Sequence, residues 1–244
     1  MFRLFLTACL FVFCGIQLCA QDSSDAFIIQ KILKRYTDTY GDLREANKLT
    51  AVTFQGVQIQ DGIEYPFLVR KKRPSSIRYR LEKGEVTFVT GYNGEDGWLQ
   101  TSNGEETFVE SLSGDQLKAI KREARFEGPL CRHLEKPENR ITLSGHSWVG
   151  GRESYVLEIT EAESVLSRYF LDVRNSHVLQ VDQLNEEGVA EFQTIYRDYR
   201  DVKGYPFAHE IENRIGGETV SIVRIDSILV NPGVLSFYFE MPQS

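Results

Sequence analysis

Two hydrophobic periods divide this chain. Between Asp25 and Leu49 the apolar positions Phe27, Ile28, Ile32, Leu33, Tyr36, Tyr40 and Leu43 recur at three- and four-residue steps, the period of an amphipathic helix. Ser24 or Asp25 is placed to cap its start and Gly41 to break or kink it. Beyond this stretch alternation takes over. Ile77, Tyr79 and Leu81 point one way while Ser76, Arg78, Arg80 and Glu82 point the other, the pattern of a sheet with one dry and one wet face. Asp61-Gly62, Asn103-Gly104, Gly150-Gly151, Glu187-Gly188 and Gly216-Gly217 separate strand-like runs. Consecutive hairpins of this kind build an antiparallel meander.

One helical interruption breaks the alternation. Ser113 is placed to cap a segment carrying Leu117, Ile120 and Ala124 on one face. That segment ends near Gly128-Pro129, with a short second piece over Leu130 to Leu134. The order is helix, about six strands, helix, about six more strands, which predicts an α+β fold with one antiparallel sheet of about 11–13 strands and helices to cover it. No long linker, repeat or low-complexity tract appears, so residues 21–244 read as a single domain.

Residues 1–20 have the three parts of a secretory signal. Met1-Phe2-Arg3 is a short positive start, Leu4 to Leu18 is uncharged and mostly apolar, and Leu18-Cys19-Ala20 precedes a cut at Gln21. The apolar run is short for a bilayer span, so export with cleavage is expected over a retained N-terminal anchor. Leu6-Thr7-Ala8-Cys9 has the residue types of a lipoprotein signal but comes too early. Only an upstream start would make Cys9 an acylated anchor. Cleavage after Ala20 removes three of the four cysteines and leaves Cys131, which reads as a small buried hydrophobe. With no internal disulfide, the fold must stand on its hydrophobic core.

The chain carries 28 basic and 35 acidic residues, a net charge of −7, or −8 once Arg3 is removed. No basic block exists to neutralise phosphates, which excludes nucleic acid as a partner. The acidic balance also argues against adsorption to anionic lipid surfaces.

Two chemical signals fail on inspection. Gly145-His146-Ser147-Trp148-Val149-Gly150 suggests a nucleophile elbow, but Val149 stands where the strained turn needs glycine and a strand pattern follows. A hairpin at Gly150-Gly151 is expected instead. His133, His146, His177 and His209 are widely separated, without the spacing of a metal site. Asn93-Gly94-Glu95-Asp96-Gly97 lacks the carboxylate ladder of a calcium loop. The residues give no positive reason to expect an enzyme, a metal or another cofactor.

Three patterns in fixed order carry a resemblance. Lys72-Arg73-Pro74 runs into the strand of Ile77, Tyr79 and Leu81; Asn93-Gly94 precedes Trp98; Phe237-x-Phe239-x-x-Pro242 closes the chain. Behind a secretory signal this set resembles the outer-membrane lipoprotein carrier family, LolA/LolB-like, over Asp25 to the end and best over Leu49 to Trp98. Two departures stand out: Asn93 replaces the usual Asp, and extra strand-like sequence fills about Ile141 to Ile228.

The resemblance implies a strongly curved, unclosed half-barrel covered by an N-terminal helix and a mid-chain helical lid. It also implies a periplasmic, monomeric, non-enzymatic protein that shields acyl chains of lipoproteins. The partners it implies are acylated lipoproteins or other acyl lipids, an inner-membrane lipoprotein export complex and an outer-membrane acceptor. By resemblance Arg73 is the latch that holds the lid closed. From the residues alone it is equally a strand-end cation in water.

Parity with Arg73 and apolar alternation make Phe67, Val69, Ile77, Tyr79, Phe88, Trp98, Tyr155, Leu157, Tyr169 and Leu171 candidate cavity lining, with Leu117 and Ile120 from the lid. Alternation equally permits an ordinary packed core at each of them. Two other functions stay open at this point: a periplasmic sensor that binds lipid or lipoprotein through the same fold, and an envelope hydrolase.

Overall fold

The computed structural model describes residues 17–39, 49–126, 130, 140–161 and 164–242. Its elements are α1 (Gln17–Thr39), β1 (Ala51–Gln60), β2 (Ile63–Lys72), β3 (Ser76–Lys83), β4 (Val86–Tyr92), β5 (Gly97–Ser102), β6 (Thr107–Ser111), α2 (Gly114–Ala124), β7 (Arg140–Val149), β8 (Arg152–Glu161), β9 (Ser164–Asp172), β10 (Val178–Leu184), β11 (Ala190–Val202), β12 (Tyr205–Ile215) and β13 (Glu218–Val230). A short 3-10 turn, Ser236–Phe239, follows.

All thirteen strands form one antiparallel sheet in the order β6-β5-β4-β3-β2-β1-β13-β12-β11-β10-β9-β8-β7. Two hairpin meanders are therefore welded along one non-local seam, the β1–β13 ladder from Val52↔Val230 to Ile59↔Ile222. The sheet does not close, because β6 and β7 are its two edges. This is the predicted curved half-barrel with helices on its inner face. The topology also dictates where α2 lies: the connection from β6 to β7 must travel from one edge to the other and carries α2 with it.

Part of the curvature is visible at the seam. The β1–β13 register shifts between Gln55 and Gly56, and such a bulge bends and twists its strand. A Cβ on Gly56 would stand 1.9 Å from the Arg224 carbonyl oxygen, so only glycine allows this close approach. The five turn pairs read from the sequence all fall between consecutive strands.

Two helix boundaries differ from expectation. α1 starts at Gln17, so Ser24 and Asp25 lie inside it instead of capping it. Leu18, Ala20 and Gln21 are good helix formers, and nothing in Gln17 to Asp25 interrupts the helix. Ser113 does hold the N-cap position of α2, yet its side chain makes no capping hydrogen bond. Asp115 in the first turn and Lys121 and Arg122 in the last complement the helix dipole instead. Gly41, Gly128-Pro129, Cys131, His133 and the short piece over Leu130 to Leu134 lie outside the described residues, except Leu130, which is fully buried.

The inner face holds three apolar clusters. Ile32 and Tyr36 of α1 pack on Leu157, Ile159, Tyr169, Leu171, Val178 and Val181. Ile120 and Ala124 of α2 pack on Ile77, Tyr92 and Leu112. Between them, around the seam, sit Val52, Phe67, Leu81, Phe126, Ile225, Ile228 and Val230.

Candidate functional site

The central cluster does not fill its share of the inner face. A cavity of about 430 Å³ opens there, lined by Phe54, Phe67, Val69, Lys71, Ile77, Tyr79, Thr90, Ile120, Glu123, Ile211, Val223 and Ile225. Period-2 alternation explains the wall: Phe54↔Val69, Val69↔Tyr79 and Tyr79↔Thr90 are directly paired across β1 to β4, so their side chains share one face. Ile120 of α2 roofs it. The Tyr79 hydroxyl donates to Gln58 Oε1 at 2.8 Å, and burial pushes its pKa up to about 12. It therefore stays neutral and presents no charge to the apolar space.

A second, more polar space of about 520 Å³ adjoins the first and shares Lys71, Glu123, Ile211 and Val223 with it. Arg122 and Arg125 from the end of α2, and Gln183, Thr194 and Asn213 from the far meander, line it as well. The combined groove is apolar under α2 and polar beyond its C-terminus.

The end of α2 is tied down by cations from β2. Phe126 is buried, with the Arg73 guanidinium 5.0 Å and the Lys71 ammonium 5.5 Å from its ring centroid. Lys71 Nζ donates to the Arg125 carbonyl at 2.5 Å, and Arg73 Nε donates to the Leu49 carbonyl at 2.7 Å. Arg73 thus touches the segment that leaves α2 and the chain entering β1. Beyond these ties α2 is held by Ile120 and Ala124, both buried, and by the partly buried Leu117. At about 1.5–3 kcal/mol per buried aliphatic side chain, that attachment is worth only a few kcal/mol.

The sequence-predicted lining divides into three groups. Phe67, Val69, Ile77, Tyr79 and Ile120 do line the cavity. Leu117 packs between α2 and the sheet, and Phe88 faces inward opposite Leu81 without reaching the cavity wall. Leu157, Tyr169 and Leu171 are fully buried under α1, with Tyr155 packed against them. These four have the predicted parity, but α1 fills the space above them. They form a packed core.

Trp98 is a correction. It pairs with Gly91, while its neighbours Gly97 and Leu99 pair with the inward-facing Tyr92 and Thr90, so the indole lies on the outer face. There it is fully buried, and its Nε1–H donates to the Phe239 carbonyl at 3.0 Å. The Phe-x-Phe-x-x-Pro end motif is what covers it. Arg78 stacks over both Trp98 and Tyr238 and donates to the Tyr238 carbonyl at 3.0 Å, while Asn93 Nδ2 donates to Glu240. Burial lowers the Arg78 pKa, with Tyr238 opposing and Arg70 and Arg80 adding to the shift. Trp98, Asn93 and the chain-end motif thus meet as a clasp, joined by Lys72, whose Nζ donates to Ser236 Oγ at 2.9 Å, while Ile77 and Tyr79 of the first pattern belong to the cavity wall.

Sequence reasoning missed Phe54, Lys71, Thr90, Glu123, Ile211, Val223 and Ile225. Alternation along β1 and β2 could have found Phe54 and Lys71. Ile211, Val223 and Ile225 reach the cavity only through the β1–β13 seam, which no local pattern announces.

Other chemistry is sparse. Ser147 lies in the β7–β8 hairpin predicted around Gly150-Gly151, where its carbonyl accepts from the Ser154 hydroxyl. His146 Nδ1 faces Glu153 Oε1 at 3.0 Å. Among the described residues no group of three or more His, Cys, Asp or Glu side chains is placed to hold a metal ion, and no helix is long and apolar enough to cross a membrane.

No protein-family profile matches the sequence, and no curated protein matches it either. Solved structures do share its backbone. A DUF1329 family protein from Desulfovibrio piger aligns with a TM-score of 0.58 at 12% identity, over 86% of this chain and 97% of that one. A protein domain named for outer membrane lipoprotein sorting, from Vibrio parahaemolyticus, gives 0.57 at 9%, over 86% and 94%. A LolA superfamily protein from Nitrosomonas europaea gives 0.54 at 14%, over 86% and 96%. At such identities the likeness speaks to the fold: this chain has the open, helix-covered half-barrel architecture of LolA-like proteins.

Proposed function

We propose that the chain is an exported lipid carrier that shields acyl chains of lipoproteins in its inner-face cavity and delivers them to the outer membrane. The observation that carries this reading is the apolar cavity of about 430 Å³ between the seam strands and α2. Its size falls in the roughly 300–1,000 Å³ range of ligand sites, and its wall is chiefly aromatic and aliphatic. Each methylene moved there from water contributes about 0.8 kcal/mol, so a chain of a dozen carbons binds strongly without catalysis.

In this scheme residues 1–20 direct export and are removed near Ala20-Gln21, and residues 21–244 act in the periplasm as one monomeric domain. No bond is made or broken and no cofactor is required. α2 is the lid and Arg73 its latch, supported by the Arg73–Phe126 stacking and by the small apolar contact that otherwise holds the helix. Loading is lid opening followed by partition of acyl chains. Cargo comes from an inner-membrane export complex and passes to an acceptor of higher affinity.

Native mass spectrometry of the processed protein incubated with a triacylated lipopeptide tests the reading. A stoichiometric complex is expected, with loss of binding in Val69→Asp, which places a charge in the apolar wall. A clean unbound mass for the wild type would overturn it.

A further inference from the structure

The cavity is not uniform, and its asymmetry bears on what it takes. α2 contributes Ile120 and Glu123 to the wall of the apolar cavity, which adjoins the more polar space through Lys71, Glu123, Ile211 and Val223. Three cations line that space, Lys71, Arg122 and Arg125, against one carboxylate, Glu123. This local excess of positive charge stands in a chain whose net charge is −7.

The two arginines differ from the lysine in how they are used. Lys71 Nζ is already bonded to the Arg125 carbonyl and lies over Phe126. Arg122 and Arg125 are exposed, and no salt bridge among the described residues includes either side chain. The negative end of the α2 dipole opposes an anion here, but the Lys71 bond caps one of its carbonyls and Lys121 adds charge in the same turn. Thr194 and Asn213 line the same space, hydrogen-bonded to each other at 3.3 Å, and add no charge to it.

Size limits what fits below. A methylene occupies on the order of the ~30 Å³ of a liquid water, so 430 Å³ accommodates about one chain of a dozen or so carbons. Three such chains need roughly 1,000 Å³, more than the 430 Å³ of the apolar cavity.

We infer that the groove takes a single-chain lipid with an anionic head, its acyl tail against Phe67, Val69, Ile77 and Tyr79 and its carboxylate or phosphate between Arg122 and Arg125. This rests on the acyl-carrying reading and adds a client that the same cavity holds with the lid closed. Arginine forks match either anion in bidentate fashion, and the acidic remainder of the surface repels an anion that misses the mouth.

Displacement of the neutral fluorophore N-phenyl-1-naphthylamine tests it, with myristate, myristoyl lysophosphatidate and myristyl alcohol as competitors of equal chain length. Both anions are expected to displace the fluorophore at about tenfold lower concentration than the alcohol. High salt should collapse that preference, and the double variant R122Q/R125Q should bring it within about threefold. Because the readout is a ratio, damage to the fold or to the apolar wall weakens all three competitors and leaves the ratio intact. Preference for the lysophosphatidate alone assigns the head as phosphate; equal preference for both anions assigns it as charge. Equal displacement by anion and alcohol, or a full preference retained in the double variant, overturns the head assignment and leaves the carrier reading standing. Failure of the fluorophore to bind at all removes both.

Discussion

Gly91→Ala sets a new methyl group against a buried indole. Gly91 lies directly opposite Trp98 in the β4–β5 ladder. A Cβ there would stand 2.2 Å from the indole Cε2, 2.3 Å from Cζ2 and 2.6 Å from Nε1. The ring has nowhere to retreat, since it is fully buried, its N–H is bonded to the Phe239 carbonyl at 3.0 Å, and Arg78 lies 5.4 Å from its centroid. The methyl must therefore expel the indole. Overpacking costs about 1–3 kcal/mol, and leaving the Phe239 carbonyl without its donor costs about 1–3 kcal/mol more. Reduced freedom of the unfolded chain returns about 0.5–1 kcal/mol. The expected net loss is about 1–5 kcal/mol.

Trp98→Leu alone is expected to cost about 3–5 kcal/mol by vacating the same space. In the double variant the new methyl enters that vacated space, so the combined loss should fall short of the sum by at least ~1 kcal/mol. Urea unfolding followed by far-ultraviolet circular dichroism measures all four proteins, with an unchanged m-value as the condition for comparing them. Additivity within ~0.5 kcal/mol would refute the argument, because it would mean that the two side chains never compete for one volume.

Two further predictions address charge and the proposed lid role of α2. Glu212 is buried, which by itself raises its pKa, but hydrogen bonds from Arg214, Thr219 and Arg197 outweigh that and bring it down to about 2. A carboxylate depressed in the folded state stabilises the fold above its unfolded pKa, and that contribution fades as pH falls from about 4.5 toward about 2. Since Arg197 is 42% and Arg214 34% exposed and both are partly screened, Glu212→Gln should cost about 2–3 kcal/mol at neutral pH and flatten the acid limb of the stability curve; an acid limb identical to wild type would contradict this. Arg73→Leu removes the guanidinium stacked on Phe126, worth about 0.5–1 kcal/mol. Hydrogen exchange across Leu117 to Ala124 should speed up about two- to fivefold while amides of β8 and β9 stay unchanged, and equal exchange in both proteins would remove Arg73 from the latch role.

Much of this architecture is written in local pattern. The alternation of Ile77, Tyr79 and Leu81, the glycine-bearing turn pairs and the three- to four-residue period of Leu117, Ile120 and Ala124 follow from how side chains project from strands and helices. They sufficed for an α+β meander with a mid-chain helix and, Trp98 excepted, for the inward direction of the strand residues singled out as lining. They also sufficed to reject the nucleophile elbow, because a strand pattern after Ser147 is incompatible with it.

Tertiary structure decided what covers each part of the inner face. Leu157, Tyr169 and Leu171 have the same periodicity as Val69 and Tyr79, yet α1 packs on the first set and leaves the second beside open space. Alternation reports the direction of a side chain, whereas filling depends on which distant segment arrives above it. The β1–β13 pairing is equally non-local, and it alone brings Ile211, Val223 and Ile225 to the cavity. Trp98 makes the same point from the other side: its burial is legible in its size and apolarity, but its face was settled by register, with Gly91 leaving room for the ring and the chain end folding back to cover it.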